Sequence, residues 1–277
     1  MFRGALLMMD ALGFKGIWRR HAPADVIAKL RALEKATASV TSPMEADDSR
    51  TRGHHRLQVR TSVLSDTLVV GVAFDPKTRG DRTLAPVPGH AIIRAASIGN
   101  MLLRRGGEGK VRFAYRGAIA FGDFEVTDRF VVGAAVDEAA EAYEQAEGAF
   151  VWLTPSAERA LGGPKAVEDQ DLMFLLHRTL LVPWKVPLKG GRYYRTHVVN
   201  PLFSPLMSEH RRRREQRMRN ILGTFSDSLD VAIKRQHTEA YLSQIHDHYT
   251  RHEEKLARKR TQRQVRASAK TRTKTKV

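Results

Sequence analysis

The chain contains no cysteine. That excludes disulfides and thiolate-bound metals, and it suits a reducing, cytoplasmic compartment. Aromatic residues are scarce, at 7% of the 277 positions, and no apolar run is long enough to span a bilayer. The opening MFRGALLMMDALGF is apolar but short, carries Asp10 and lacks a convincing cleavage site. It reads as a buried strand and not as a signal peptide. Acidic residues are the minority charge, 30 against 47 Lys and Arg, for a formal net charge of +17. Residues 208–277 hold 19 Lys and Arg against 8 Asp and Glu, whereas residues 1–207 hold 28 against 22. The basic character thus belongs mainly to the C-terminal quarter, which points to an anionic partner for that segment, nucleic acid or another anionic surface.

What is present is an ordinary globular composition, 42% apolar, and enough chain for one or two domains. Ala5–Met9 is a short apolar run ending at Asp10, which predicts a strand finishing on a carboxylate. Pro23–Val40 has helical spacing through Val26, Ile27, Leu30 and Leu33, with Pro23 in its first turn. Leu57–Leu64 and Thr67–Phe74 are β-rich and separated only by Ser65-Asp66, which predicts a hairpin with Asp66 at its tip. Ala91–Leu103 reads as a helix. Arg116–Gly122 predicts a strand that stops at Gly122-Asp123, followed by a second β run at Phe130–Val132 and a small-residue helix over Ala134–Glu147. Phe150–Leu153 predicts a strand, Thr154–Ala160 a short helix capped by Thr154, and Asp169–His177 another helix. Leu180–Leu188 and Tyr193–Val199 form a closing hairpin around Lys189-Gly190-Gly191. From Ser208 the composition is helical with a sparse apolar face of Leu229, Ile233, Tyr241, Ile245 and Tyr249. Residues 261–277, rich in Lys, Arg and Thr, predict disorder.

Hairpins alternating with helices give an α+β fold, a ferredoxin-like split βαβ sandwich, with a basic C-terminal helical extension. The expected organisation is a domain over 1–201, a basic helical extension over 202–260 and a tail over 261–277. Five stretches, in order, resemble the class III nucleotidyl cyclase domain. They are Asp10-Ala11-Leu12-Gly13-Phe14, the Ser65-Asp66 tip, Arg116-Gly117-Ala118-Ile119 with Gly122, Val132-Gly133-Ala134-Ala135-Val136 with Ala139-Ala140, and Leu188-Lys189-Gly190 with Tyr193-Tyr194. The resemblance implies a homodimer that binds a nucleoside triphosphate with two Mg or Mn ions. Asp10 and Asp66 would be the catalytic carboxylates that hold the metals. The backbone at Gly13 and Phe14 would cradle phosphate, with Lys189 near it. Attack of a ribose 3′-hydroxyl on the α-phosphorus would form a cyclic mononucleotide and release pyrophosphate, so an active member would be a lyase.

Four positions depart from the family's pattern. Asp137 and Glu141 stand where the family's helix carries Asn and Arg for the transition state. Ser62 and Phe130 stand at the base-selecting positions. Loss of one preorganised donor costs about 2.7–4 kcal/mol of transition-state stabilisation. The alternative is therefore a catalytically inactive cyclase-like module, nucleotide-binding or a dimeric scaffold, with its basic tail on an anionic partner. For Arg116 the sequence favours a structural ion pair or an interface contact. Asp137, Glu138, Glu141, Glu144 and Glu147 form an acidic helix that is either solvated or docks a cation or basic segment, the chain's own tail included. His248 and His252 have helical i, i+4 spacing but no evident third metal ligand.

Overall fold

The fold is organised around a mixed sheet whose inner strands are apolar on both faces. In this computed structural model the described residues are 1–14, 16–41, 57–74, 88–127, 130–162, 179–203, 211–225 and 229–274. The predicted helix at Asp169–His177 lies outside them. The strands are β1 (Phe2–Leu12), β2 (Leu57–Leu64), β3 (Thr67–Phe74), β4 (Ala114–Val126), β5 (Val131–Val132), β6 (Val151–Leu153), β7 (Leu181–Leu188) and β8 (Arg192–Val199). The helices are α1 (Pro23–Thr41), α2 (Pro88–Gly106), α3 (Ala134–Gln145), α4 (Pro155–Leu161), α5 (Arg211–Leu222) and α6 (Leu229–Lys274). The sheet order is β2-β3-β1-β4-β6-β8-β7, with β5 paired to β4 off that path. Every pairing is antiparallel except β4 with β6. The α+β expectation is met.

Alternation in β1 sends its side chains to two separate cores. Ala5, Leu7, Met9 and Ala11 join a cluster with α1, α2 and α4, through Val26, Ile92, Ile98 and Leu161. Leu6 and Met8 face the other way, onto Ala135, Val136 and Ala139 of α3. A strand buried on both faces reads as a nearly continuous apolar run, which is why the MFRGALLMM segment carries so little polarity.

Two local expectations are corrected. Gly122-Asp123 is not a turn, because β4 continues through it to Val126. Asp123 is held in the ladder opposite Arg3, whose Nη1 donates to its carboxylate at 3.2 Å. The chain reverses only after Thr127, and the following strand is limited to Val131–Val132. Thr154 makes no side-chain cap on α4. The Ser156 N–H instead donates to Glu138 Oε1 of α3 at 3.0 Å, so one acid of the α3 series is spent on a neighbouring helix terminus.

The second face is completed by α6. Thr238, Tyr241, Leu242 and Ile245 are buried. The last three join Ala118, Phe150, Trp152, Val186 and Val198 in one cluster. The Tyr241 ring stands 5.3 Å from Trp184 and 5.9 Å from Phe150, and its hydroxyl donates to the Val199 carbonyl at 3.1 Å. Ile233, expected on this face, is exposed. The helix runs on to Lys274, across positions whose composition predicts disorder. Ala, Arg, Lys and Gln there are good helix formers, so propensity does not oppose it.

Tyr241→Ala should lower the unfolding free energy by about 3–5 kcal/mol, the range for a buried aromatic truncated to alanine. Tyr241→Phe should cost only about 1 kcal/mol, one net hydrogen bond. Urea titration followed by tryptophan fluorescence measures both. An alanine variant as stable as the wild type would contradict a shared core.

Candidate functional site

Asp10 does not end a strand. It lies inside β1, directly across from Arg116 of β4 on one side and Thr67 of β3 on the other. That register aims its carboxylate at the guanidinium: Arg116 Nη2 and Nε donate to Asp10 Oδ2 at 3.2 and 3.3 Å. The pair is largely buried, with 15% of the Arg116 side chain and 17% of Asp10 exposed. Arg116 is further held by the Glu144 carbonyl, to which Nη1 donates at 3.3 Å, and by the Tyr143 ring, whose centroid lies 5.5 Å from its guanidinium carbon. Next to it, Gly117 allows β1 and β4 to approach closely, since a Cβ there would lie 2.6 Å from the Met8 carbonyl oxygen. The structural ion pair favoured by the sequence is thus present at Arg116.

Asp66 reaches the same end of the sheet by the β2–β3 hairpin. Leu64 pairs with Thr67, so Ser65 and Asp66 form a two-residue loop, with Ser65 at a positive φ of 61°. The Asp66 carbonyl accepts from the Ala11 N–H at 3.3 Å, which places the tip beside β1. Burial pushes the Asp10 carboxyl above the ordinary carboxylate value. Arg116 opposes that shift and Asp66 adds to it. The Tyr143 phenol is also raised, by burial first and then by the Asp10 and Glu144 charges. Tyr115 was not anticipated from sequence. Its hydroxyl is buried without a partner among the described residues, and burial, then Asp66 and Asp10, raise its pKa. No motif marks it, because it sits on the strand face opposite Arg116.

After Asp10 the chain turns at Gly13, with φ 73°, and the Gly13 carbonyl accepts from Arg20 Nη2 at 3.0 Å. Phe14 packs edge-on against Trp18 and is part of the larger core surround, so its ring is structural. A cleft opens here between Leu12, Gly13 and Arg20 on one side and Thr224, Phe225, Val231 and Lys234 on the other. Its second wall is C-terminal chain that no motif connects with Gly13.

The remaining predicted positions are dispersed. Lys189 is exposed at the tip of the β7–β8 hairpin. That tip is tied to the end of α3 by Arg192 Nη2, which donates to Gln145 Oε1 at 3.1 Å, and by a bridge between Ala146 and Leu188. Asp137 and Glu141 are exposed on α3, as is Glu144, and none of the three makes an ion pair among the described residues. The helical extension does dock, through α6, but on the apolar cluster next to them. It reaches the acidic series through His237, whose Nδ1 lies 2.9 Å from the Glu147 carbonyl oxygen and 4.0 Å from Glu147 Oε2. Ser62 is buried with its hydroxyl unpartnered among the described residues, and Phe130 is 67% exposed. The side chains of His248 and His252 lie outside those described.

A second polar cluster was not visible in the sequence. Glu158 Oε1 accepts from Thr196 Oγ1 and the His197 N–H, both at 2.6 Å, and lies 3.0 Å from His197 Nδ1. Burial alone would raise the Glu158 carboxyl, but these hydrogen bonds outweigh it and the net shift is downward. The cluster locks α4 to β8.

No protein-family model matches the sequence, and no curated protein matches it. Among solved structures, the chain is similar to the guanylate cyclase domain of RhGC from Catenaria anguillulae in complex with GTP. Identity is 15%, coverage is 71% of this chain and 94% of that one, and the TM-score is 0.44. It is also similar to the catalytic core of a rhodopsin-guanylyl cyclase with converted specificity in complex with ATPαS, at 14% identity, 72% and 96% coverage and a TM-score of 0.45. An adenylyl cyclase from P. aeruginosa matches at 12% identity, 71% and 92% coverage and a TM-score of 0.42. Likeness at this level says nothing of activity, and the chemistry rests on the side chains themselves.

Arg116→Met should move the Asp10 carboxyl further up, because burial and Asp66 remain while the cation is gone. A carboxyl raised by folding stabilises least when ionised. Stability is therefore lost as pH rises from the ordinary carboxylate value through the folded one, and the variant should show a larger loss than the wild type. Carbon-13 NMR of the Asp10 carboxyl, with urea titrations at several pH values, measures both effects. An unmoved Asp10 resonance profile would show that the guanidinium does not govern it. Breaking a fully buried pair costs roughly 3–5 kcal/mol, and the residual exposure puts this one at or below the lower end.

Proposed function

We propose that this chain is a divergent nucleotidyl cyclase-like protein that binds a metal–nucleoside triphosphate complex at the Asp10 end of the sheet. The reading is carried by one end of the sheet, where Arg116 pairs with Asp10 and the β2–β3 loop brings Asp66 beside β1, near enough for its charge to act on Asp10. Two carboxylates are hard-oxygen donors that suit Mg or Mn, and such ions are commonly bound by one or two carboxylates plus substrate phosphates. No group of three or more His, Cys, Asp or Glu that could hold a metal occurs among the described residues. The remaining positions around an ion would therefore fall to water and phosphate oxygens. When bound, the ions supply acidification of the 3′-hydroxyl and neutralisation of the leaving pyrophosphate. Arg116 has the planar donor fork suited to a phosphate oxygen. The Gly13–Phe14 backbone and Lys189 are the further phosphate contacts this assignment expects, within a homodimer.

One observation favours a second reading. Asp137 and Glu141 are exposed carboxylates on α3, where the resemblance calls for a donor and a cation. Carboxylates repel a triphosphate and offer nothing to developing negative charge. A protein that binds the metal–nucleotide without cyclising it, a sensor or dimeric scaffold, meets this observation. Among the described residues no helix is long and apolar enough to cross a membrane.

Purified protein incubated with Mn²⁺ and each of the four ribonucleoside triphosphates separates these outcomes. Cyclic product by mass spectrometry, lost in Asp10→Ala, supports the enzyme. Asp10-dependent binding without product supports the sensor. Neither binding nor product overturns both. The basic C-terminal stretch supports a contact with an anionic polymer, by phosphate neutralisation. Its affinity for unrelated DNA should then fall steeply with salt, and a flat salt titration rejects that partner.

A further inference from the structure

Helix α6 bears on the candidate site through a short piece of backbone. Residues 146–150 join α3 to β6, and both ends touch what holds Arg116. Just before them, the Glu144 carbonyl accepts from Arg116 Nη1 at 3.3 Å. At their end, the Phe150 carbonyl accepts from the N–H of Gly117, the residue after Arg116, at 3.0 Å. Between these two points α6 grips the segment twice. Thr238 Oγ1 accepts from the Ala149 N–H at 2.8 Å and donates its own proton to the Lys234 carbonyl at 2.7 Å, so its acceptor lone pair is aimed at Ala149. Thr238 is fully buried. At the preceding residue, His237 Nδ1 lies 2.9 Å from the Glu147 carbonyl. A carbonyl only accepts, so Nδ1 carries the proton. The segment has little slack. The Glu147 N–H donates to the Pro187 carbonyl at 3.0 Å, and a Cβ at Gly148 would lie 2.1 Å from the Phe150 ring.

We propose that Thr238 and His237 are positioning residues for the Asp10–Arg116 pair, and that α6 is thereby a working part of the candidate site. The helix fixes residues 146–150, and these fix the two backbone carbonyls that locate Arg116 over Asp10. The inference rests on the assignment of the Asp10 end of the sheet as the metal–nucleotide site. Its geometric content, the alignment of Arg116 on Asp10, is measurable without any ligand. The first turns of the same helix also form the far wall of the Gly13 cleft, through Val231 and Lys234. Both sides of the site are therefore touched by one rigid element.

Four variants of the full chain test this: Thr238→Val, which keeps shape and removes the hydrogen bond, Thr238→Ser, which restores it, His237→Ala, and His237→Gln, which restores a donor. The first readout is nitrogen-15 NMR of the Arg116 Nε–H without metal, which donates to Asp10 in the intact protein. Thr238→Val and His237→Ala should shift its resonance and speed its hydrogen exchange about tenfold, as the guanidinium loosens from Asp10, and the Ser and Gln variants should return it. The second readout is Mn²⁺ binding followed by the electron paramagnetic resonance of the free ion. The Val variant should bind about tenfold more weakly, the low end for residues that orient a metal ligand indirectly. A purely structural role would lower the melting temperature and leave the Arg116 Nε–H signal unmoved, and that result overturns the proposal. Should Thr238→Val fail to fold, the half-buried His237 pair decides it by the same signal. Unchanged Mn²⁺ binding in Asp10→Ala would sink the site assignment alone, because the metal-free Arg116 signal still settles whether α6 positions Arg116.

Discussion

A carboxylate on a strand buried from both faces needs a cation within reach, and the middle of this fold is arranged around that need. Asp10 lies between β3 and β4 with apolar neighbours above and below. Leaving its charge uncompensated would cost several kcal/mol. Arg116 meets it by direct cross-strand register, and the register depends on Gly117 letting the two backbones close up. Arg116 in turn needs the end of α3 for a carbonyl and for the Tyr143 ring. That end of α3 is tied to the β7–β8 hairpin and to α6. One ion pair thus constrains two strands, a helix terminus and the C-terminal chain.

The second face of the sheet carries the acidic helix α3. The acidic series on α3 looks uniform in sequence but divides by task in the structure. Glu138 turns toward α4 and satisfies its N-terminal amide. Glu147 lends its backbone to β7 and α6. Asp137, Glu141 and Glu144 stay in solvent, one helical stripe of charge of which only Asp137, in the first turn, suits the helix dipole. The neighbouring apolar part of the same face is covered by the chain itself, through Tyr241, Leu242 and Ile245, whose partners are Trp152, Val186 and Val198.

Much of the strand layout was legible, since alternation and the tight Ser65-Asp66 loop have local causes. The placement of Asp10 near Asp66 was legible from two motifs in order. Other features were hidden for identifiable reasons. Gly122-Asp123 has the composition of a turn, but a distant Arg3 pairs with Asp123 and holds the strand straight. The partner of Asp10 depends on β-register, which the sequence of β4 alone does not define. The burial of α6 was legible only in part. Tyr241 and Ile245 belong to the sparse apolar face read from the sequence, but Thr238 is polar and the residues around these contacts are mostly polar or charged. Tyr115, whose hydroxyl has no partner among the described residues, leaves no local pattern at all.

The order of elements along the chain has a consequence for biosynthesis. All eight strands precede α6, so as the polypeptide emerges the sheet can pair before the helix that covers Trp152, Phe150 and Val198 has left the ribosome. For that interval the nascent protein carries an open aromatic and aliphatic face, the kind of surface that chaperones hold and that drives aggregation. The polar, highly charged composition of α6 suits its lateness: it stays dissolved as it emerges and presents its few apolar residues only to a sheet already in place.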